Sequence, residues 1–343
     1  MKLSVGSDIS RASSIDSSFY KEEKYFNLSI DKIFKKSWQL TCHQSEFFNK
    51  NIYPFYFLEG SINEPLVITK INEEFNCLSN VCTHRGHIIN EKKCSRKKMM
   101  CGYHGRTFNL NGDIDKMPGF EEVKNFPSSK DNLVKFPILN WKDFTFTGIE
   151  PSIDIKDVLN DISNRLPDYP FNEIGFNKEY SKTYHLNANW ALYCENYLEG
   201  LHVPFVHRGL AGEINMDTYK TEILHNGVLQ YTDSNNNESY AHYYWIFPNI
   251  MLNFYSWGLS VNIVEPISKN QTKINFLTYP INNSQNVKKK ILELHNVEME
   301  DEKVVLNVQK GIQSEFYKHG RYSTHYEKGT HYFHRLICKY INQ

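Results

Sequence analysis

The chain has 343 residues, with 39 basic and 39 acidic side chains that cancel and seven cysteines. That length suits about two domains of roughly 150 residues each, and the balanced charge offers no footprint for a nucleic acid or an anionic membrane surface. The start, MKLSVGSDISRASSIDSSF, is polar and lacks the apolar core of a secretory signal. No apolar run reaches the ~20 residues of a membrane helix, so a soluble, cytoplasmic protein is expected.

Residues 1–37 read as a polar arm followed by a helix over SIDKIFKKSW. A first domain is expected over 38–150, ending in FTFTGIEP. Inside it, PLVITKI and TFNLNGDI alternate like strands, the second carrying an Asn-Gly turn signal. Between these strands lie two short segments, VCTHRGH and CGYHGRTF. They supply Cys82-x-His84 and, after sixteen residues, Cys101-x-x-His104, with Gly86 and Gly105 behind the pairs.

Coincidence would explain two cysteines and two histidines that never meet. Structural zinc accepts such a set but usually takes Cys-x₂₋₄-Cys and His-x₃₋₅-His pairs. Here each loop brings one thiolate and one imidazole. That division suits a Rieske [2Fe–2S] centre, whose one iron is held by two cysteines and the other by two histidines. Cys42, Cys77, Cys94, Cys194 and Cys338 have no such neighbours and read as reduced thiols. Their odd total and irregular spacing do not form a disulfide framework.

A second domain is expected over 151–343, opening with the helical period of DIKDVLNDISNRL. The stretch NWALYCENYLEGLHVPFVHRGL places Glu199, His202 and His207 at i, i+3 and i+8. The first two would share a helix face, and Pro204 would end that helix and let His207 swing back. Two histidines completed by a carboxylate form the facial triad of non-haem iron(II) oxygenases. Residues 240–266 and KINFLTYPI read as paired strands, and SNNNES as a loop tip. From Gln285 to about Tyr317 a long helix is expected, carrying the acidic group Glu298, Glu300, Asp301 and Glu302. For most of these four a solvated helix face is the simple expectation.

Taken together, CTHRG, CGYHG and the His202–His207 segment resemble the Rieske non-haem iron oxygenases, the aromatic-ring-hydroxylating family. The resemblance covers nearly the whole chain from about Trp38. It departs at Arg106, where many members carry tryptophan, and at Leu306, where relatives often have glutamate. It implies an α+β chain. An antiparallel β Rieske domain precedes a catalytic domain with a curved antiparallel sheet and a long C-terminal helix.

By this resemblance Cys82, His84, Cys101 and His104 hold the cluster, and His202, His207 and Asp301 hold a mononuclear Fe(II). Asp301 enters as the second member of the acidic pair ahead of VQKG. Glu199 stands where the family, mostly with aspartate, links a cluster histidine of one subunit to an iron histidine of the next in a homotrimer. The expected activity is that of a terminal oxygenase using O₂ and electrons from NAD(P)H through a reductase or ferredoxin. Glutamate at 199 and the string YLEGLHVPFVH look closest to the branch acting on choline, betaines and carnitine as monooxygenases or demethylases. An arene dioxygenase alpha subunit is the alternative within the family; an electron carrier and a zinc-stabilised binding protein are alternatives outside it. Tyr243, Tyr244, Trp245 and Trp257 could offer faces to a cation, although aromatic residues on strands more often fill a core.

Overall fold

The computed structural model describes residues 2–207, 216, 218–232, 241–281 and 287–343. The chain divides into two compact units, one of residues 39–151 and one made of 1–38 together with 152–343.

In the 39–151 unit, alternating β-formers produce three small antiparallel sheets. One pairs Gln39–His43, Phe144–Thr147 and Ile138–Trp141. The second runs Ile52–Phe57, Glu64–Ile71, Glu74–Ser79 and Lys135–Phe136. The third holds Lys98–Met100, Thr107–Asn109 and Ile114–Lys116. Its Asn111-Gly112 turn places Gly112 at φ +91°, where a Cβ would meet a Leu78 methyl at 2.9 Å. Ile52, Val67, Leu78, Met99, Phe108 and Leu133 form one core, and Cys82 and Cys101 belong to it.

The larger unit is built on a seven-stranded antiparallel sheet. Its order is Asn177–Leu186, Gln271–Pro280, Gly258–Ser268, Ile250–Tyr255, Ala241–Ile246, Gly227–Tyr231, Lys220–Leu224. The helix Trp190–Tyr197 packs on the sheet and against the long helix Val287–Gly311. Trp190 anchors it, edge-on to Phe34 at 4.9 Å and to Phe333 at 5.6 Å. The polar arm does not stand apart: His331 Nε2 donates to the Gly6 carbonyl at 2.8 Å, and Arg321 Nη2 to that of Ser10 at 2.9 Å.

Two helical expectations need correction. The N-terminal helix is Glu23–Lys32, so it takes in only the SIDK of SIDKIFKKSW, and a single 3₁₀ turn at Phe34–Lys36 follows. The long helix stops at Gly311 rather than near Tyr317. Gly311 is a weak helix former, and the Ser314 hydroxyl accepts from the Phe316 N–H and so competes with helical bonding. The chain then forms a further helix, Lys328–Ile341, which buries Phe333, Leu336, Ile337 and Ile341 along one face. The SNNNES stretch and Gln285 lie outside the described residues. No described helix is long and apolar enough to cross a membrane.

Candidate active site

The two cysteine-histidine loops fold alike. Cys82 N–H donates to the His87 carbonyl at 2.8 Å, and Cys101 N–H to that of Arg106 at 2.8 Å, each five residues on. In both, the glycine four residues after the cysteine bonds back to it, Gly86 at 3.0 Å and Gly105 at 3.1 Å. Gly86 and Gly105 adopt φ +72° and +73°, a left-handed backbone that disfavours other residues. Two near-identical loops thus face each other, and the His84 and His104 rings lie 4.8 Å apart.

The donors separate by depth. Cys82 and Cys101 are buried in the core, whereas His84 is half-buried and His104 exposed. All seven cysteines are free thiols, and burial together with the adjacent Cys101 pushes the Cys82 thiol up. Two thiols inside and two imidazoles at the rim fit the unequal irons of a Rieske cluster. Arg106 is fully buried, bonds Asp131 at 2.7 Å and lies over the Phe126 ring at 5.3 Å. Tryptophan's place is thus filled by a guanidinium whose charge is paired locally.

The second site is assembled from two distant segments. Asn189 caps the Trp190–Tyr197 helix by accepting from Ala191 N–H, and its own N–H donates to Gln309 on the long helix at 2.9 Å. The helix ends at Tyr197, before Glu199, so Glu199 and His202 do not share a helix face as expected. Glu199 instead closes the following turn, its Oε2 accepting from the Leu201 and His202 N–H groups. Its Oε1 lies 2.6 Å from His202 Nδ1. Pro204 likewise does not terminate a helix but sits in the first turn of the short Val203–Val206 helix, where a missing N–H costs nothing. That turn returns His207, whose ring centre lies 5.1 Å from that of His202.

Asp301 meets both histidines. On the long helix Ile291, His295, Glu298, Val305 and Gln309 are buried at three- and four-residue spacing. Asp301 falls on the same stripe and Glu300 beside it. The Asp301 Oδ1 lies 3.0 Å from His207 Nε2 and 3.4 Å from His202 Nε2. One donor atom from each of these three residues lies within 4.8 Å of the others.

Their outer nitrogens are held elsewhere. His202 Nδ1 faces Glu199, and His207 Nδ1 faces Glu300 at 2.7 Å. An imidazole that donates Nδ1–H to a carboxylate presents its Nε2 lone pair to a metal. Asp301 Oδ1 is buried and accepts no well-aligned hydrogen bond, although two ring nitrogens surround it. A buried oxygen in that condition fits a divalent cation between the three. Burial works against charge on His207, but Asp301 and Glu300 outweigh it and hold its proton affinity above the ordinary imidazole range.

Sequence reasoning missed two residues here. Glu300 was a neighbour that could be confused with Asp301; it is the partner that orients His207. Glu298 is no solvated acid but is 4% exposed. Its spacing of three from Asp301 was the available signal.

These residues wall a cavity of about 160 Å³. Tyr193, Tyr197, Tyr219, Tyr243, Tyr255 and Phe276 line it together with His202, His207 and Asp301. Several hydroxyls are tied back: Tyr193 to Glu298 at 2.7 Å, Tyr197 to Asn253 at 2.7 Å and Tyr219 to Gln230 at 2.6 Å. Of the four aromatic residues singled out from the sequence, Tyr243 lines the cavity. Trp245 packs on Phe247 and Phe333, Tyr244 bonds Asp161, and Trp257 stacks under Tyr255 at 5.2 Å.

Comparison with known proteins identifies the two regions that carry these residues. A model of the Rieske [2Fe-2S] domain matches residues 37–127, and one of the ring hydroxylating alpha subunit (catalytic domain) matches 175–343. The chain is 28% identical over 337 residues to the chloroplastic choline monooxygenase of Beta vulgaris, covering 93% of this chain and 75% of that one. It is 27% identical over 350 residues to the carnitine monooxygenase oxygenase subunit of Escherichia coli strain K12, covering 95% and 93%. In fold it is similar to the quaternary ammonium Rieske monooxygenase CntA, with TM-score 0.85 at 24% identity over 96% and 95% of the two chains. Naphthalene 1,2-dioxygenase follows at TM-score 0.75 and 15% identity, over 96% and 92%. With a Rieske [2Fe–2S] domain ahead of a mononuclear-iron catalytic domain, the chain belongs to the Rieske non-haem iron ring-hydroxylating oxygenases.

Proposed function

We propose that this chain is the terminal oxygenase of a system that hydroxylates or oxidatively demethylates a small quaternary ammonium compound. The observation that carries the substrate class is the cavity at His202, His207 and Asp301, walled by tyrosine rings and the buried carboxyl of Glu298. Ring faces attract a cation most strongly where water is excluded. The volume of about 160 Å³ suits a small guest rather than a polycyclic arene. The named activities of the choline and carnitine relatives support the same class.

In this reading Cys82, His84, Cys101 and His104 hold the cluster, while His202, His207 and Asp301 hold the iron. Bound iron would supply dioxygen chemistry, and the cluster single electrons from a reductase or ferredoxin. The protein's own work is positional. Glu199 and Glu300 each accept an Nδ1–H and orient the two imidazoles with Nε2 toward the metal position. The hydroxyls of Tyr197 and Tyr219 are engaged by Asn253 and Gln230 rather than left for the guest. His104 at the exposed rim is the point of electron exit, and Glu199 is the group that receives the path beside His202. The chain would work as a cytoplasmic homotrimer in which that path crosses a subunit boundary.

The test is aerobic turnover of choline, glycine betaine, carnitine and a set of aromatic acids with NADH and a generic reductase. Oxygenated or demethylated product from a quaternary ammonium compound, and none from the aromatic acids, is expected. Product from the aromatic acids alone would replace this substrate class with an arene.

A further inference from the structure

Glu298 is only half used by the protein around it. Its Oε2 accepts from the Tyr193 hydroxyl at 2.7 Å. Its Oε1 is buried and has no hydrogen-bond partner among the described residues. The residue is 4% exposed, yet it stands in the wall of the iron cavity. No lysine or arginine is among the described residues lining that cavity. Burial, with Asp301 and Glu302 pushing the same way and the Tyr193 hydroxyl opposing, holds the carboxyl well above the usual carboxylate range. A buried acid without a cation is costly, and a cationic guest in the cavity would complete it.

We propose that Glu298 is the specificity-determining residue of this enzyme: its carboxylate recognises the positive charge of the substrate. It selects quaternary ammonium cations over neutral molecules of the same shape. The proposal rests on the substrate class inferred above. The tyrosine rings accept the methyl-covered surface of the head group but only weakly separate a trimethylammonium from a tert-butyl group, since both fill the same space. A carboxyl that gives up its proton when a cation sits against it in a water-poor cavity separates them strongly. Glu298 precedes Asp301 by three residues on the long helix, so the two carboxyls share a face about one turn apart. A cation held at the first presents its substituents toward the second.

The experiment compares binding of matched pairs to the holoenzyme by calorimetry. The pairs are choline with 3,3-dimethylbutan-1-ol and glycine betaine with 3,3-dimethylbutanoate, which differ only in replacement of the charged nitrogen by carbon. The wild-type enzyme should prefer the cation of at least one pair by roughly 10–100-fold. Glu298→Gln should bring that ratio near one, leaving the affinity for neutral 3,3-dimethylbutan-1-ol and the iron content unchanged. Glu298→Asp should recover part of the preference. Tyr193→Phe, which removes the hydrogen bond and keeps the carboxyl, should retain it. An undiminished ratio in Glu298→Gln overturns the role of Glu298 while leaving the substrate class intact. Equal loss in Glu298→Gln and Tyr193→Phe, or loss of iron and neutral ligand together, makes the pair structural and overturns it too. A wild-type enzyme that binds neither cation overturns the substrate class, and this assignment with it.

Discussion

Glu300→Ala is the sharpest probe of how the proposed iron site is held. The substitution removes the acceptor 2.7 Å from His207 Nδ1 and leaves Nε2, Asp301 and His202 in place. Loss of a carboxylate that orients a metal-bound histidine typically costs about 10–100-fold in metal affinity. The His207 side chain is 3% exposed but that of Glu300 is 47% exposed, so water can replace the missing acceptor. The lower end is therefore expected: about 10-fold, or roughly 1.4 kcal/mol. Glu300→Gln keeps an acceptor oxygen and should lose less. The assay is competitive chelation of Fe(II) from anaerobic protein, with cluster absorbance as an internal control. Asp301→Ala, by contrast, should empty the site. If Glu300→Ala empties it while Asp301→Ala retains iron, the ligand is Glu300 and the reasoning fails by one residue. Unchanged affinity in Glu300→Ala would remove it from any orienting role.

The remaining expectations are as direct. Cys101→Ser should abolish the visible Rieske absorbance, because serine does not replace a thiolate to iron; retained absorbance would take Cys101 out of the ligand set. Glu199→Ala should weaken iron binding much as Glu300→Ala does, and once iron-loaded its reduced cluster should reoxidise at least 10–100-fold more slowly with substrate and O₂ in a stopped-flow single turnover, with partial recovery in Glu199→Asp. In the metal-free chain His207 is held above its ordinary range by Asp301 and Glu300, against the effect of burial. The stabilisation is thus fully present below about pH 6.5 and is lost as pH rises through the raised value. Thermal unfolding of metal-free protein across this window should show that loss, and His207→Phe should flatten it. Iron affinity runs the other way, falling as acid protonates the imidazole.

How much of this was legible in the chain follows from the range of each interaction. The cluster loops are local: cysteine, histidine and glycine lie within a few residues, and the positive φ of Gly86 and Gly105 is a need that glycine itself announces. Their pairing into one site and the strands around them could be read from alternation and spacing. The antiparallel sheet and most helices were legible in the same way, because apolar period is written residue by residue. The end of the long helix at Gly311 was not, since a short polar competition at Ser314 outweighs the charged helical pattern beyond it.

The proposed iron site shows the boundary most clearly. His202 and His207 are neighbours in sequence, but the turn that joins their rings is closed by Glu199 and begun, not ended, by Pro204. Among four nearby acids, identity and spacing could not say which faces the histidines, which orients one of them and which is buried in the cavity wall. Those roles depend on how the long helix is rotated against the Trp190–Tyr197 helix, and the Asn189–Gln309 hydrogen bond spans 120 residues to make that contact. The sequence by itself determined the chemistry available, because ligand types and loop glycines are local properties. Tertiary packing alone decided that Asp301 meets two Nε2 atoms, that Glu300 meets an Nδ1 and that Glu298 Oε1 is enclosed with no partner among the described residues. Burial and convergence are made by residues far apart in the chain, and no single segment carries them.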